Sequence, residues 1–281
     1  MQIKFTKMHG QGNDFVVLNG IADAALSTLT LEQIRALADR HLGVGCDQIL
    51  LVEPSNNAEV DFRYRIFNGD GSEVEHCGNG ARCFAQFVRE EGLTTLSEIR
   101  VATINRNLIL TVAADGTITV DMGAPRFAPH QIPFVAESEA PHYGLMVGDT
   151  KLDIGVVSMG NPHAVTRVEN VESTQVATLG PLIEHQSRFP QKVNAGFMQI
   201  IARDHIKLRV WERAAGETAA CGTGACAAVV TGINWGLLDE TVRVSTRGGE
   251  LKVTWQGAKD RGSPVLMSGT ATTVFKSEIS I

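Results

Sequence analysis

Apolar and polar residues alternate over residues 61–68, with Phe62, Tyr64 and Ile66 on one face, as in a half-buried strand. Unbroken apolar runs predict further strands at 15–18 and 49–52, and residues 3–8 can form a short strand. Between them, Leu31, Ile34, Leu37 and Ala38 recur at helical spacing. Thr30 and Gln33 have the form of a capping box, so a helix is expected from there to near Gly43. Residues 8–14 are too glycine-rich for a regular element, and residues 43–48 read as a second turn. Strands follow at 99–103, 108–113 and 117–122, the last two joined by the hairpin signal Asp115-Gly116. Residues 125–143 carry Pro125, Pro129, Pro133 and Pro141 and read as a crossing into a second half. Strands return there at 152–158, 196–202, 206–211, 241–246, 250–255, 265–267 and 272–275, with a hairpin turn at Arg247-Gly248-Gly249. The class is α+β, mostly antiparallel strands with a helix packed in each half.

One pentapeptide occurs twice. Cys77-Gly78-Asn79-Gly80-Ala81 returns as Cys221-Gly222-Thr223-Gly224-Ala225, an offset of 221 − 77 = 144. Each copy runs into an apolar, helix-like segment, residues 82–88 and 226–233. The likeness extends upstream at the same offset: Arg65 with Arg209, Phe67 with Trp211, Asn68 with Glu212, Glu73 with Glu217. Gly12-Asn13 has a counterpart in Gly160-Asn161. Two copies that each keep a thiol suggest a duplicated fold with one shared site.

Composition narrows the choices. A length of 281 residues suits about two domains. A net charge of −6 lacks the basic footprint of nucleic-acid binding. No apolar run reaches the ~20 residues of a membrane helix, and Lys4, Lys7 and His9 make residues 1–10 unlike a signal peptide. Five cysteines, an odd number with no Cys-x-x-Cys, read as a reduced, cytoplasmic chain without a metal site.

A helix start leaves backbone N–H groups free and carries partial positive charge, which lowers the pKa of a thiol placed there. Paired glycines let a ligand approach, and the free N–H groups suit a carboxylate. Cys77 and Cys221 are therefore expected to be reactive, whereas Cys46, Cys83 and Cys226 read as core packing. Two thiols on opposite sides of one carbon suit removal of a proton from one face and delivery to the other.

The chain resembles the diaminopimelate epimerase family. The resemblance rests on residues 7–15 (Lys-Met-His-Gly-Gln-Gly-Asn-Asp-Phe), Asn68-Gly69-Asp70-Gly71-Ser72, the Cys77 motif, Ser158-Met159-Gly160-Asn161-Pro162-His163 and Val193-Asn194-Ala195-Gly196. It continues through Trp211-Glu212-Arg213, Gly216-Glu217-Thr218 and the Cys221 motif. It implies two pseudo-symmetric halves, each a sheet wrapped around a central helix, with the active site in the cleft. The family's last strand returns to the first half, giving domains of 1–122 plus 270–281 and 123–269. The implied activity is cofactor-independent interconversion of LL- and meso-diaminopimelate, in lysine and cell-wall precursor synthesis, by a homodimer. Cys77 and Cys221 match the proton-transfer residues. Gly78, Asn79, Gly222 and Thr223 match the cradle for the reacting carboxylate. Asn13 and Gln48 fall nearer the reacting centre. Glu212 and Arg213 suit the ammonium and carboxylate at the far end, with Asn68, Asn161 and Asn194 as amide partners. His163 and Glu212 are candidates for tuning a thiol's charge. The family often has Ser at Thr223, Tyr at Trp211 and Phe at Cys46. Proline racemase and 3-hydroxyproline epimerase also pair two cysteines, but Glu212-Arg213 favours a substrate with a second charged amino-acid group. A thiol redox switch or a non-catalytic amino-acid-binding module is the alternative from another class.

Overall fold

The computed structural model describes residues 1–74 and 77–281. The chain forms two compact units, Met1–Asp121 with Ser268–Ile281, and Met122–Met267.

In the first unit, β1 (Gln2–Gly10) and β2 (Asn13–Asn19) form an antiparallel hairpin. The glycine-rich stretch is thus regular, contrary to the sequence expectation. Gln11 and Gly12 both take positive φ, 52° and 80°, the two-residue turn whose twist matches the flanking strands. Helix α1 (Leu31–Ala38) has the expected capping box: Gln33 N donates to Thr30 Oγ1 at 3.2 Å and Thr30 N to Gln33 Oε1 at 2.9 Å. It stops at Ala38 rather than near Gly43, because Asp39 Oδ1 takes the N–H groups of His41 and Leu42 and starts a turn. Ile34 and Leu37 face the core, whereas Leu31, at the first helical position, is exposed.

β3 (Gln48–Pro54) runs parallel to β2, and β4 (Phe62–Asn68) antiparallel to β3. β5 (Glu73–Val74) then leads to α2 (Gly78–Glu90). β6 (Glu98–Ala102) pairs parallel with β4, and β7 (Asn107–Val112) and β8 (Ile118–Asp121) continue antiparallel. The strands enclose α2, whose residues from Gly78 to Ala85 are all buried. Phe84 packs against Phe62 and Tyr64 at centroid distances of 5.8 and 5.1 Å.

The second unit repeats this plan. β9 (Tyr143–Val147), β10 (Thr150–Ser158) and β11 (Pro162–Arg167) pair antiparallel. Helix α3 (Val176–Glu184) stands where α1 stood, and β12 (Asn194–Ala202) runs parallel to β11. β13 (His205–Glu212) is antiparallel to β12, and β14 (Gly216–Thr218) leads to α4 (Gly222–Asn234). β15 (Thr241–Thr246) pairs parallel with β13, and β16 (Gly249–Thr254) closes the second predicted hairpin. β17 (Leu266–Gly269) follows, and β18 (Thr272–Ser280) pairs antiparallel with β1, as β9 does with β10. The same order of parallel and antiparallel pairings in both units makes them pseudo-symmetric, the α+β architecture expected.

Two matched pairs in the repeat are ion pairs. Arg65 Nε and Nη2 donate to the two oxygens of Glu73 at 2.9 and 2.8 Å, and Arg209 does the same to Glu217 at 2.6 and 2.9 Å. Each staples the strand before a cysteine loop to the strand entering it. No helix among the described residues is long and apolar enough to cross a membrane.

Candidate active site

Cys77 and Cys221 occupy equivalent places. Each is the N-cap of its helix, in extended conformation, with its sulfur accepting the backbone N–H three residues on. Gly80 N and Gly224 N both approach Sγ at 3.4 Å. Space beside both glycines is tight. A Cβ at Gly80 would meet Tyr64 Oη at 2.9 Å, and one at Gly224 would sit 3.2 Å from Cys221 Sγ.

Around Cys77, Asn13 Oδ1 lies 3.6 Å from Sγ and 3.5 Å from Asn79 Nδ2. Asn13 Nδ2 donates to Asp47 at 2.9 Å, and Asn79 Oδ1 accepts from Arg82 at 2.8 Å. Gln48 and Asn68 form a separate cross-strand pair at 3.0 Å, with Asn68 also donating to Ser72.

Around Cys221, the thiol donates to Glu212 Oε2 at 3.1 Å, and the other Glu212 oxygen accepts from Thr218 at 2.6 Å. Thr223 Oγ1 is 3.5 Å from Sγ and accepts from Asn161 Nδ2 at 3.3 Å. Asn161 Oδ1 in turn meets His163 Nε2 at 2.9 Å. Asn194 bridges Pro162 O and the backbone N–H of Arg213, whose exposed side chain donates to Gln191 O. The register matches across the repeat. His163 pairs with Asn194 in β11 and β12 where Phe15 pairs with Gln48 in β2 and β3.

The expected low thiol pKa does not hold for Cys221. Burial, then the adjacent Glu212 carboxylate, push it well above the usual cysteine range, more than offsetting the Gly224 N–H. In this arrangement Cys221 is a thiol, ready to give a proton. His163 is fully buried, and burial with the nearby Arg213 charge lowers its pKa to about 3. The ring is neutral at ordinary pH and stands at the end of a hydrogen-bond chain that reaches Cys221 through Asn161 and Thr223. Cys46 and Cys83 are buried and pushed up, to about 12 in the case of Cys46, as packing thiols are. All five cysteines are free.

The family model described as diaminopimelate epimerase matches residues 5–128 and 155–274. A relative from Chromobacterium violaceum named diaminopimelate epimerase is 56% identical over 281 residues, covering 100% of both chains. One of the same name from Thioalkalivibrio sulfidiphilus is 58% identical over 282 residues, again covering 100% of both. The chain belongs to the diaminopimelate epimerase family.

Among solved structures, a hydroxyproline epimerase from Agrobacterium vitis with bound trans-4-hydroxy-L-proline superposes with a TM-score of 0.71 at 16% identity, covering 99% of this chain and 92% of that one. A phenazine biosynthesis protein of the PhzF family from Bacillus anthracis gives 0.67 at 19%, covering 100% of both. These show the fold alone. For this diaminopimelate epimerase family member, four residues that the sequence reading left out belong to the site's support: Asp47, Arg82, Thr218 and Gln11. Gln11 and Thr218 stood inside quoted motifs, but only contact geometry distinguishes a buttress from its neighbours.

Proposed function

We propose that the chain inverts one stereocentre of 2,6-diaminopimelate, interconverting the LL and meso forms by two-base proton transfer, as a step of lysine and peptidoglycan precursor synthesis. The observation that carries the reading is the repeated cysteine N-cap, two thiols in equivalent places on a duplicated scaffold. One sulfur takes the α-proton as thiolate while the other gives its own to the opposite face. The roles exchange for the other isomer. A chain that uses its own thiols for both transfers needs no cofactor.

The Gly78-Asn79 and Gly222-Thr223 segments hold the reacting carboxylate on helix N-terminal N–H groups, which stabilise the charge that develops as the α-proton leaves. The charges of Glu212 and Arg213 and the amides of Asn68, Asn161 and Asn194 recognise the far end of the substrate, with Asn13 and Gln48 nearer the reacting centre. Glu212 keeps Cys221 protonated until its turn, and His163 tunes that sulfur through Asn161 and Thr223. Fold likeness to a hydroxyproline epimerase selects no substrate.

We place the protein in the cytoplasm, which its five free thiols support, and propose a homodimer. The dimer is supported by β18, which pairs along one edge with β1 and leaves Val274 and Phe275 exposed. Sedimentation as a monomer at micromolar concentration would remove that part. Incubation of the purified protein with LL-diaminopimelate in heavy water, with nothing added, tests the whole. Meso product should form carrying deuterium at the inverted centre, while remaining substrate stays largely protiated. No turnover of diaminopimelate by the folded protein defeats the reading.

A further inference from the structure

An asparagine side chain fits its space almost equally well after its oxygen and nitrogen exchange places, so neighbours decide which atom a site receives. Beside Cys77 two asparagines are linked, and each end of the link is a group that cannot change role. Arg82 only donates. Its Nη2 gives a proton to Asn79 Oδ1 at 2.8 Å. Asp47, when ionised, only accepts. It takes one from Asn13 Nδ2 at 2.9 Å. Between them Asn79 Nδ2 faces Asn13 Oδ1 at 3.5 Å. Reversing either amide sets donor against donor at one end or acceptor against acceptor at the other.

We infer that Asp47 and Arg82 are positioning residues that lock the Asn79–Asn13 relay in one direction, so that Asn13 presents only its oxygen to Cys77. That oxygen lies 3.6 Å from Sγ, where it receives a thiol proton and opposes a thiolate. The lock is anchored at both ends. Arg82 is fully buried and also donates to Gly78 O, to Thr270 O and to Gln11 Oε1 in the β1–β2 turn. Asp47 accepts from the Asp14 backbone N–H at 3.1 Å and from Arg40 at 2.7 Å, and Asp14 itself binds Lys7 and Arg40. The device belongs to one half of the repeat. At the offset of 144, Cys226 stands for Arg82 (82 + 144) and Thr223 for Asn79 (79 + 144). Cys221 instead meets the carboxylate of Glu212. An oxygen acceptor thus faces each sulfur, supplied by an orientation-locked amide in one unit and by a charged group in the other.

The inference rests on reading Cys77 and Asn13 as site residues, yet its test needs no substrate and stands apart from turnover. Iodoacetamide labelling of Cys77 in the full-length protein, read on the Cys77 peptide by mass spectrometry across pH, reports the thiolate. Among the described residues, the charged and titratable groups around that sulfur are Arg82, Cys83 and Tyr64 and the Lys7–Asp14–Arg40–Asp47 cluster behind Asn13. Asp47→Asn keeps the shape of a half-exposed side chain but can donate as well as accept, which leaves Asn13 oriented only by its 3.5 Å contact with Asn79, the weaker of its two restraints, and lets it turn its NH2 toward the sulfur. Labelling at fixed pH should then rise roughly tenfold, the difference vanishing at high pH where both proteins are ionised. The rise should persist in ~1 M salt, which screens the lost surface charge but not a turned amide.

Arg82→Gln added to Asp47→Asn separates the two explanations by sign, since Asp47 alone still holds the Asn13 NH2 in a single Arg82 variant. Loss of a nearby cation alone slows labelling relative to Asp47→Asn, whereas release of the second end of the relay speeds it. Slower labelling in the folded double variant than in Asp47→Asn overturns the inference, as does an unchanged rate in Asp47→Asn at high salt. If the double variant does not fold, the Asp47→Asn measurement decides alone.

Discussion

Arg209→Met is the most informative perturbation of the scaffold beneath Cys221. Met keeps the apolar stem of the side chain and removes its donors. Arg209 gives Glu217 two charge-assisted hydrogen bonds, 2.6 and 2.9 Å, and ties down Val171 O at 2.6 Å and Thr174 O at 3.0 Å. Its side chain is only 9% exposed, so water cannot replace all four bonds. Charge-assisted hydrogen bonds contribute about 1.5–3 kcal/mol each when broken singly, but Glu217 keeps Arg247 at 2.9 Å as a second cation, which offsets part of the loss. A net cost of about 3 kcal/mol follows, or a fall in Tm of roughly 6–12 °C. The equivalent Arg65→Met should cost less, about 1 kcal/mol, since Arg65 is 23% exposed and its ionic partners are Glu73 and a more distant Glu53 at 4.0 Å. The assay is differential scanning calorimetry of both variants beside the parent. Because Glu217 neighbours Thr218, which holds Glu212, Arg209→Met should also lower kcat at its working temperature. Equal Tm losses at the two arginines would refute the reasoning, because it rests on their difference in burial and in number of acceptors.

Replacing either Cys77 or Cys221 by Ser should suppress epimerisation in both directions by about 10²–10⁴-fold or more, since each direction uses both groups; near-normal turnover by either variant would break the two-base assignment. Cys83→Ala should lower stability with modest loss of turnover, measured by urea unfolding alongside activity, since that thiol is fully buried core. Gly80→Ala drives a Cβ to 2.9 Å from the buried Tyr64 Oη and should destabilise by about 1–3 kcal/mol, whereas Gly92→Ala, with open space around it but positive φ, tests backbone strain alone. Arg65 and Arg209 hold Glu73 and Glu217 below their ordinary pKa of 4.5. Their folded values lie under the unfolded ones, so this stabilisation is complete above that pH and is lost as pH falls through the depressed values. Urea midpoints should therefore drop less below pH 4.5 in the Arg209→Met protein than in the parent.

Where a local signal and its partner were adjacent in sequence, the chain was legible. Thr30 and Gln33 marked a helix start, Asp115-Gly116 marked a hairpin, and the repeated Cys-Gly-x-Gly marked both site helices. Helix α3 escaped because Gly180 and Pro181 lie inside it. Pro181 disrupts the helical pattern, while Gly180 is required by Trp211, whose ring would lie 2.4 Å from a Cβ there. The β1–β2 turn was misread because a left-handed Gln11 looks improbable until Arg82, 71 positions on, is seen holding its amide. The state of Cys221 was misjudged for a related reason. The helix-terminus argument accounts for Gly224 N–H, but nothing in the spacing of Glu212 from Cys221 reveals that a hairpin brings the carboxylate to 3.1 Å. The offset paired Arg65 with Arg209 and Glu73 with Glu217, yet only the strands show that these residues pair within each copy.

The placement of β9 and β18 bears on how such a chain arose. Read as two successive repeats, residues up to Val147 and residues from Thr150 onward, each repeat ends in a strand that completes the other unit's sheet. β9 closes the first repeat yet pairs with β10, and β18 closes the second yet pairs with β1. This is reciprocal strand exchange, the bookkeeping of a domain-swapped dimer written into a single polypeptide. Neither repeat expressed alone contains a finished sheet, so an isolated copy would have every reason to find a twin. An ancestor of half this length is then most simply a homodimer with two identical cysteines. Joined in one chain, the two halves are able to differ, and they do: one sulfur meets Glu212 and the other the Asn13–Asn79 relay.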